Sequence, residues 1–144
     1  MKTALYLVIL VLLVLPACAR HAGQQQEPLE IAETAYSEGR YSKAQNIADS
    51  IMLGTTFGKL NVSELCRLSL LFIRLGEKSN DEQGNTAMAT RALVAAYGLD
   101  SDSTSIYLHN VPVDDRARMA IVNALSNARV EGDSIIEEPD SLLY

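Results

Sequence analysis

The sequence predicts an all-α protein, on three observations. From Pro28 onward the apolar residues recur at intervals of three and four, the spacing of one helix face. Cap and stop residues (Pro28, Gly39, Gly54, Asn61, Gly98, Pro112) divide that pattern into helix-sized pieces. No stretch alternates apolar and polar residues as a half-buried strand does. The expectation is about five helices arranged in antiparallel hairpins.

The first segment, residues 1–17, reads as a leader rather than part of the fold. Lys2 supplies one positive charge, the 12 residues from Ala4 to Leu15 are apolar apart from the amphipathic Tyr6, and Leu15-Pro16-Ala17-Cys18 closes the run. Twelve residues fall well short of the roughly 20 that cross a bilayer, so the order reads as a secretory signal. Small Ala17 directly before Cys18 resembles the bacterial lipoprotein signal. That resemblance implies lipidation of Cys18, cleavage before it and anchoring by acyl chains, each buried methylene adding about 0.8 kcal/mol. The residue after Cys18 is Ala19 rather than Asp, and the chain continues Arg20-His21-Ala22-Gly23-Gln24 without an acidic tag. In the familiar Gram-negative sorting pattern this implies the outer membrane, facing the periplasm. A plain signal peptide cut after Ala17 is the alternative.

The leader also explains the composition. The whole chain of 144 residues is 48% hydrophobic with a net charge of −6, but fourteen of its first seventeen residues are apolar. The remaining 127 residues are 43% apolar, with 11 Lys and Arg against 18 Asp and Glu. Such a chain supports one core. Its acidity, with no run of three basic residues, excludes a nucleic-acid partner. Residues 18–27 read as a flexible tether, 28–130 as the helical domain and 131–144 as an acidic, disordered tail.

Within the domain, Leu29, Ala32 and Tyr36 share one face of a first helix that Gly39 stops. A second helix starts near Tyr41 and carries Ala44, Ile47, Ala48, Ile51 and Met52 to Gly54. Asn61 and Glu64 form a capping box for a third, apolar around most of its circumference from Leu65 to Leu75, so that helix is expected to be central. Gly84 and Asn85 weaken any helix before Thr86, which places the fourth from there to Gly98. Residues 100–105 read as a polar linker, Ile106-Tyr107-Leu108 is too short to assign, and a fifth helix runs from about Pro112 to before Gly132.

The first hairpin, with Ile31-Ala32, Ala35, Ala48 and the run Gly39-Arg40-Tyr41-Ser42-Lys43-Ala44, resembles a tetratricopeptide repeat. The physical basis is close approach: small side chains let two helices pack tightly and Gly permits the turn. Leu68-Ser69, Phe72, Gly76, Ala89, Leu93 and Ala96 fit a second repeat, with eight extra residues between Gly76 and Ala89. The resemblance covers residues 28–101 and implies a capping role for the fifth helix. It also implies a partner groove on the first helix of each hairpin, at Glu33, Tyr36, Ser37, Leu70, Ile73 and Arg74. Aromatic, aliphatic and Arg groups there suit a protein or peptide segment with an acidic or carboxylate end. A structural or assembly subunit of an envelope complex, its groove filled by the chain's own fifth helix, is the rival reading.

No catalytic constellation, metal site or cofactor is expected. His21 and His109 are the only histidines, and neither has a ligand at helical spacing. Glu30, Glu33 and Glu38 read as a solvent face. With Cys18 lipidated, Cys66 stands alone as a small core residue. Asp-Ser followed by an aliphatic residue or Thr occurs at Ser50, Ser103, Ser134 and Ser141, against about 0.5 expected from composition. The triplet resembles the periplasmic O-glycosylation acceptor of some Gram-negative anaerobes, implicating Ser103, Ser134 and Ser141; Ser50 is disfavoured by its place in a helix. Helix caps and turns use the same residue pairs.

Overall fold

The computed structural model describes residues 27–134, with side chains through Arg129. Six α-helices occur among the described residues, with no strand. They are α1 (Pro28–Ser37), α2 (Tyr41–Leu53), α3 (Val62–Gly76), α4 (Glu82–Leu99), α5 (Ser101–Asn110) and α6 (Val113–Ser134). Cys18 and Ser141 lie outside the described residues.

Small residues bring α1 and α2 together. Ala32, Ala35, Ala44 and Ala48 are all fully buried, so the two backbones approach without a bulky side chain between them. The turn needs Gly39, whose φ of 76° lies in the left-handed region. Around it the Gly39 N–H donates to the Tyr36 carbonyl at 2.9 Å and the Arg40 N–H to the Ala35 carbonyl at 2.8 Å, satisfying the end of α1. A short 3-10 turn at Phe57–Lys59 then leads to α3.

The capping box forms as expected: the Glu64 N–H donates to Asn61 Oδ1 at 3.0 Å and the Asn61 N–H to Glu64 Oε2 at 2.7 Å. α3 is the hub, packed against the other five helices. Leu65, Leu68, Phe72 and Leu75 are its fully buried bulk, and the buried Ser69 hydroxyl donates to the Ala89 carbonyl of α4 at 2.8 Å.

Three expectations are corrected. First, α4 begins at Glu82, because Asp81 Oδ1 accepts from the Gly84 N–H at 3.0 Å and caps it. Asn85 is buried in its first turns instead of weakening them. The eight extra residues of the second hairpin are therefore absorbed by the connection 77–81 and by added turns at the start of α4. Second, residues 100–105 are not a linker. Asp100 caps α5 by accepting from the Ser103 N–H at 2.9 Å, and the count of helices is six rather than five. Third, α6 runs through Glu131 and Gly132 to Ser134, so the expected disordered tail does not begin at 131; residues 135–144 lie outside the described part. α6 packs chiefly on α4 and with Met119 and Val122 joins the single core cluster.

Candidate functional site

The six groove positions lie on α1 and α3 as expected, but the structure spends half of them internally. Glu33 is not on a solvent face. It accepts from Arg67 Nε at 3.0 Å and, through its second oxygen, from Arg67 Nη2, a two-pronged pair in which each side chain is 34% exposed. The Glu33 hydrogen bond raises the Arg67 guanidinium above its already high value. Leu70 is ordinary core at 7% exposure. Arg74 turns to α6, where its Nη2 donates to Asp115 Oδ2 at 2.7 Å. Asp115 also meets Arg118 Nη1 at 3.4 Å, and Arg118 Nε donates to Glu77 at 2.7 Å, so a chain of four charges ties α3 to α6.

Tyr36, Ser37 and Ile73 remain. The Tyr36 hydroxyl donates to the Arg74 carbonyl at 3.4 Å, its ring lies 5.3 Å from that of Tyr41, and Ile73 is half-buried against the core. Ser37 is exposed, its hydroxyl donating back to the Thr34 carbonyl at 2.8 Å.

The helix missing from the sequence reading places a side chain close to Glu33 and Arg67. Tyr107 of α5 packs against the core, and its phenol is raised above the usual value by burial first and then by the Cys66 thiol, Glu33 and Asp115 nearby. The signal existed: Thr104, Tyr107, Leu108 and Val111 follow helical spacing behind the N-cap Asp100. Ser103 is exposed on the first turn of α5, with its hydroxyl donating to Asp100 Oδ2 at 2.7 Å. Ser134 ends α6.

Other features bear on chemistry. Among the described residues no cluster of three His, Cys or acidic side chains converges to hold a metal, and no helix is long and apolar enough to cross a membrane. Cys66 is buried and unpaired, and burial pushes its thiol up to about 12. Val113, Ile121 and Leu125 of α6 are exposed, at 74%, 70% and 47%. An open cleft of about 790 Å³ runs between α4 and the end of α6, lined by residues that include Glu82, Thr86, Leu125 and Arg129.

Comparison of the chain with protein-family models, curated proteins and solved structures finds no match.

Proposed function

We propose that the chain is a lipid-anchored, non-enzymatic helical lipoprotein at the periplasmic face of an outer membrane, acting by binding protein as an assembly subunit. The observation that favours assembly over capture of a free carboxylate is the fate of Arg74. Its guanidinium is already paired with Asp115, whose side chain is 9% exposed, and Glu33 is paired with Arg67. A carboxylate ligand entering the groove would have to compete with an anion that the fold itself supplies. What the molecule offers instead is apolar: the Tyr36 and Tyr41 rings, and Val113, Ile121 and Leu125 along α6. Ile121 and Leu125 stand one turn apart on α6, and adjoining exposed apolar residues suit a protein contact. The tetratricopeptide-like first hairpin, Cys18 and the leader support the same reading from the sequence.

Two measurements test it. Cys18→Ala should move the protein out of the membrane fraction and abolish incorporation of labelled palmitate; continued labelling would end the anchor. A photo-crosslinking residue at position 121 or 125 should trap one stoichiometric partner in native membranes. If crosslinks formed only from position 36 and were lost in Arg74→Ala, the groove would be the working surface and assembly through α6 would be wrong.

A further inference from the structure

A second cleft, of about 390 Å³, lies between α2 and the start of α4, on the second helices of the two hairpins rather than the first. Its wall includes Gln45, Asp49 and Met52 of α2, and Asp81, Asn85 and Met88 at the start of α4. Asn85 is 3% exposed. Its Nδ2 donates to the Asp81 carbonyl at 2.8 Å and to Ser79 Oγ at 3.2 Å. A carbonyl only accepts, so the orientation of the amide is fixed and Oδ1 is left buried without a donor. Gln45 repeats the arrangement. Its Nε2 donates to Asp49 Oδ1 at 3.0 Å, a carboxylate also only accepts, and the buried Oε1 has no donor.

Buried acceptors are nearly always satisfied, and here the two residues that carry unsatisfied ones both belong to the wall of one cleft, the oxygens lying just beneath its surface. The same wall carries the carboxylates of Asp49 and Asp81 and no Lys, Arg or His. The chain thus supplies acceptors and negative charge at this place and no cationic donor. An anion is the wrong occupant, because Asp81 already fills the N-terminal end of α4. Met52, Leu53 and Met88 supply the apolar part of the wall.

We infer that this cleft is a binding subsite for a cationic hydrogen-bond donor on an aliphatic stem, an alkylammonium or alkylguanidinium. The head sits between the Gln45 and Asn85 amide oxygens with Asp49 as counter-charge, and the stem lies along the methionines. Both oxygens are closed to bulk water, so entry displaces a side chain of the wall. Half-buried, unbranched Met88 is suited to that movement. Such a head is carried by a Lys or Arg side chain of a partner protein and by a free polyamine. The subsite is independent of the assembly reading, since none of its residues belongs to the groove or to α6.

The test is a titration of the full chain in detergent micelles, followed by the side-chain amide resonances of Gln45 and Asn85. The probes are N-acetyl-lysine N-methylamide, putrescine and the uncharged N-acetyl-norleucine N-methylamide. The lysine derivative or putrescine should shift both amides saturably, and the norleucine derivative should bind at least tenfold more weakly. Tighter binding of the lysine derivative assigns the head to a protein side chain, and tighter binding of putrescine to a free polyamine. Asp49→Asn should weaken the preferred probe at least threefold, and Asn85→Leu at least tenfold. Should Asn85→Leu fail to fold, Asp49→Asn decides alone. Equal binding of charged and uncharged probes, no saturable shift, or unchanged affinity in Asp49→Asn overturns the proposal.

Discussion

Cys66 occupies the middle of α3 with no exposed surface, and its environment leaves the thiol inert. The thiolate is the reactive form, and burial pushes the folded-state value up to about 12 from an ordinary 9.0. Maleimide labelling read out by mass at the Cys66 peptide should therefore be slower by orders of magnitude in the native protein than in the denatured one at pH 8. The same shift sets a window of alkaline instability. Below pH 9.0 the thiol is protonated in both states, whereas between there and about 12 only the unfolded chain releases the proton, so stability falls as pH rises. Tyr97 and Tyr107, both raised mainly by burial, act in the same direction above their ordinary 10.0. Equilibrium unfolding at stepped pH should show this slope, and Cys66→Ala should reduce it. Gly39 is the other position where one residue decides local structure. Its φ of 76° strains any residue with a Cβ, although a Cβ there would meet no neighbour. Gly39→Ala should cost about 1 kcal/mol, with Gly39→Asn less, as read by denaturant midpoints.

At the level of elements, α5 shows both what the sequence displays and what it hides. α1 to α4 and α6 announce themselves because their apolar residues recur at helical spacing, and Asn61 with Glu64 marks the start of α3 without ambiguity. α5 has the right spacing but little to bury: Thr104 is its one fully buried residue, and Asp100-Ser101-Asp102-Ser103 looks like a loop because caps and loops draw on the same residues. Missing α5 also hid its neighbourhood. Glu33 looks like a surface acid until the fold brings Arg67 and Tyr107 beside it, and those contacts join residues far apart in the chain. The unsatisfied oxygens of Gln45 and Asn85 were illegible for a different reason, since a missing partner is a property of three dimensions only. α5 depends on its cap, which gives a prediction. The hydrogen bonds from the Ser103 backbone and hydroxyl hold the Asp100 carboxyl below its ordinary 3.8, so the cap is fully present above that pH and is lost as pH falls through the depressed value. Amide exchange in α5, compared with α3, should accelerate on acidification below 3.8. Asp100→Asn should remove that dependence while keeping the helix, and Asp100→Ala should leave α5 frayed at neutral pH.

At the scale of the whole fold, the helices among the described residues share one core. In a stack of repeats each unit touches only its neighbours, and stability accumulates along the chain. Here α3 touches the other five helices, and one apolar cluster joins Leu29 of α1, Met52 of α2, Phe72 of α3, Leu93 of α4 and Met119 of α6. Removing an end should therefore damage the centre. Deleting residues 113–144 uncovers the surface that Met119 and Val122 fill, and leaves Arg74 without Asp115. Each fully buried side chain of that size contributes roughly 1.5–3 kcal/mol, so the apolar loss alone is about 3–6 kcal/mol. Native domains hold only about 5–15 kcal/mol in total. At roughly 4–8 °C per kcal/mol for a domain of about this size, the truncated chain should melt at least about 12 °C lower or lose its cooperative transition. The measurement is thermal unfolding of full and truncated chains by far-ultraviolet circular dichroism, with amide exchange resolving α1 and α2. Exchange in those two helices should accelerate together with the rest, because their buried alanines belong to the same cluster as α6. If α1 and α2 kept their protection after the deletion, the two hairpins would be independent units, and the array description would hold over the single shared core.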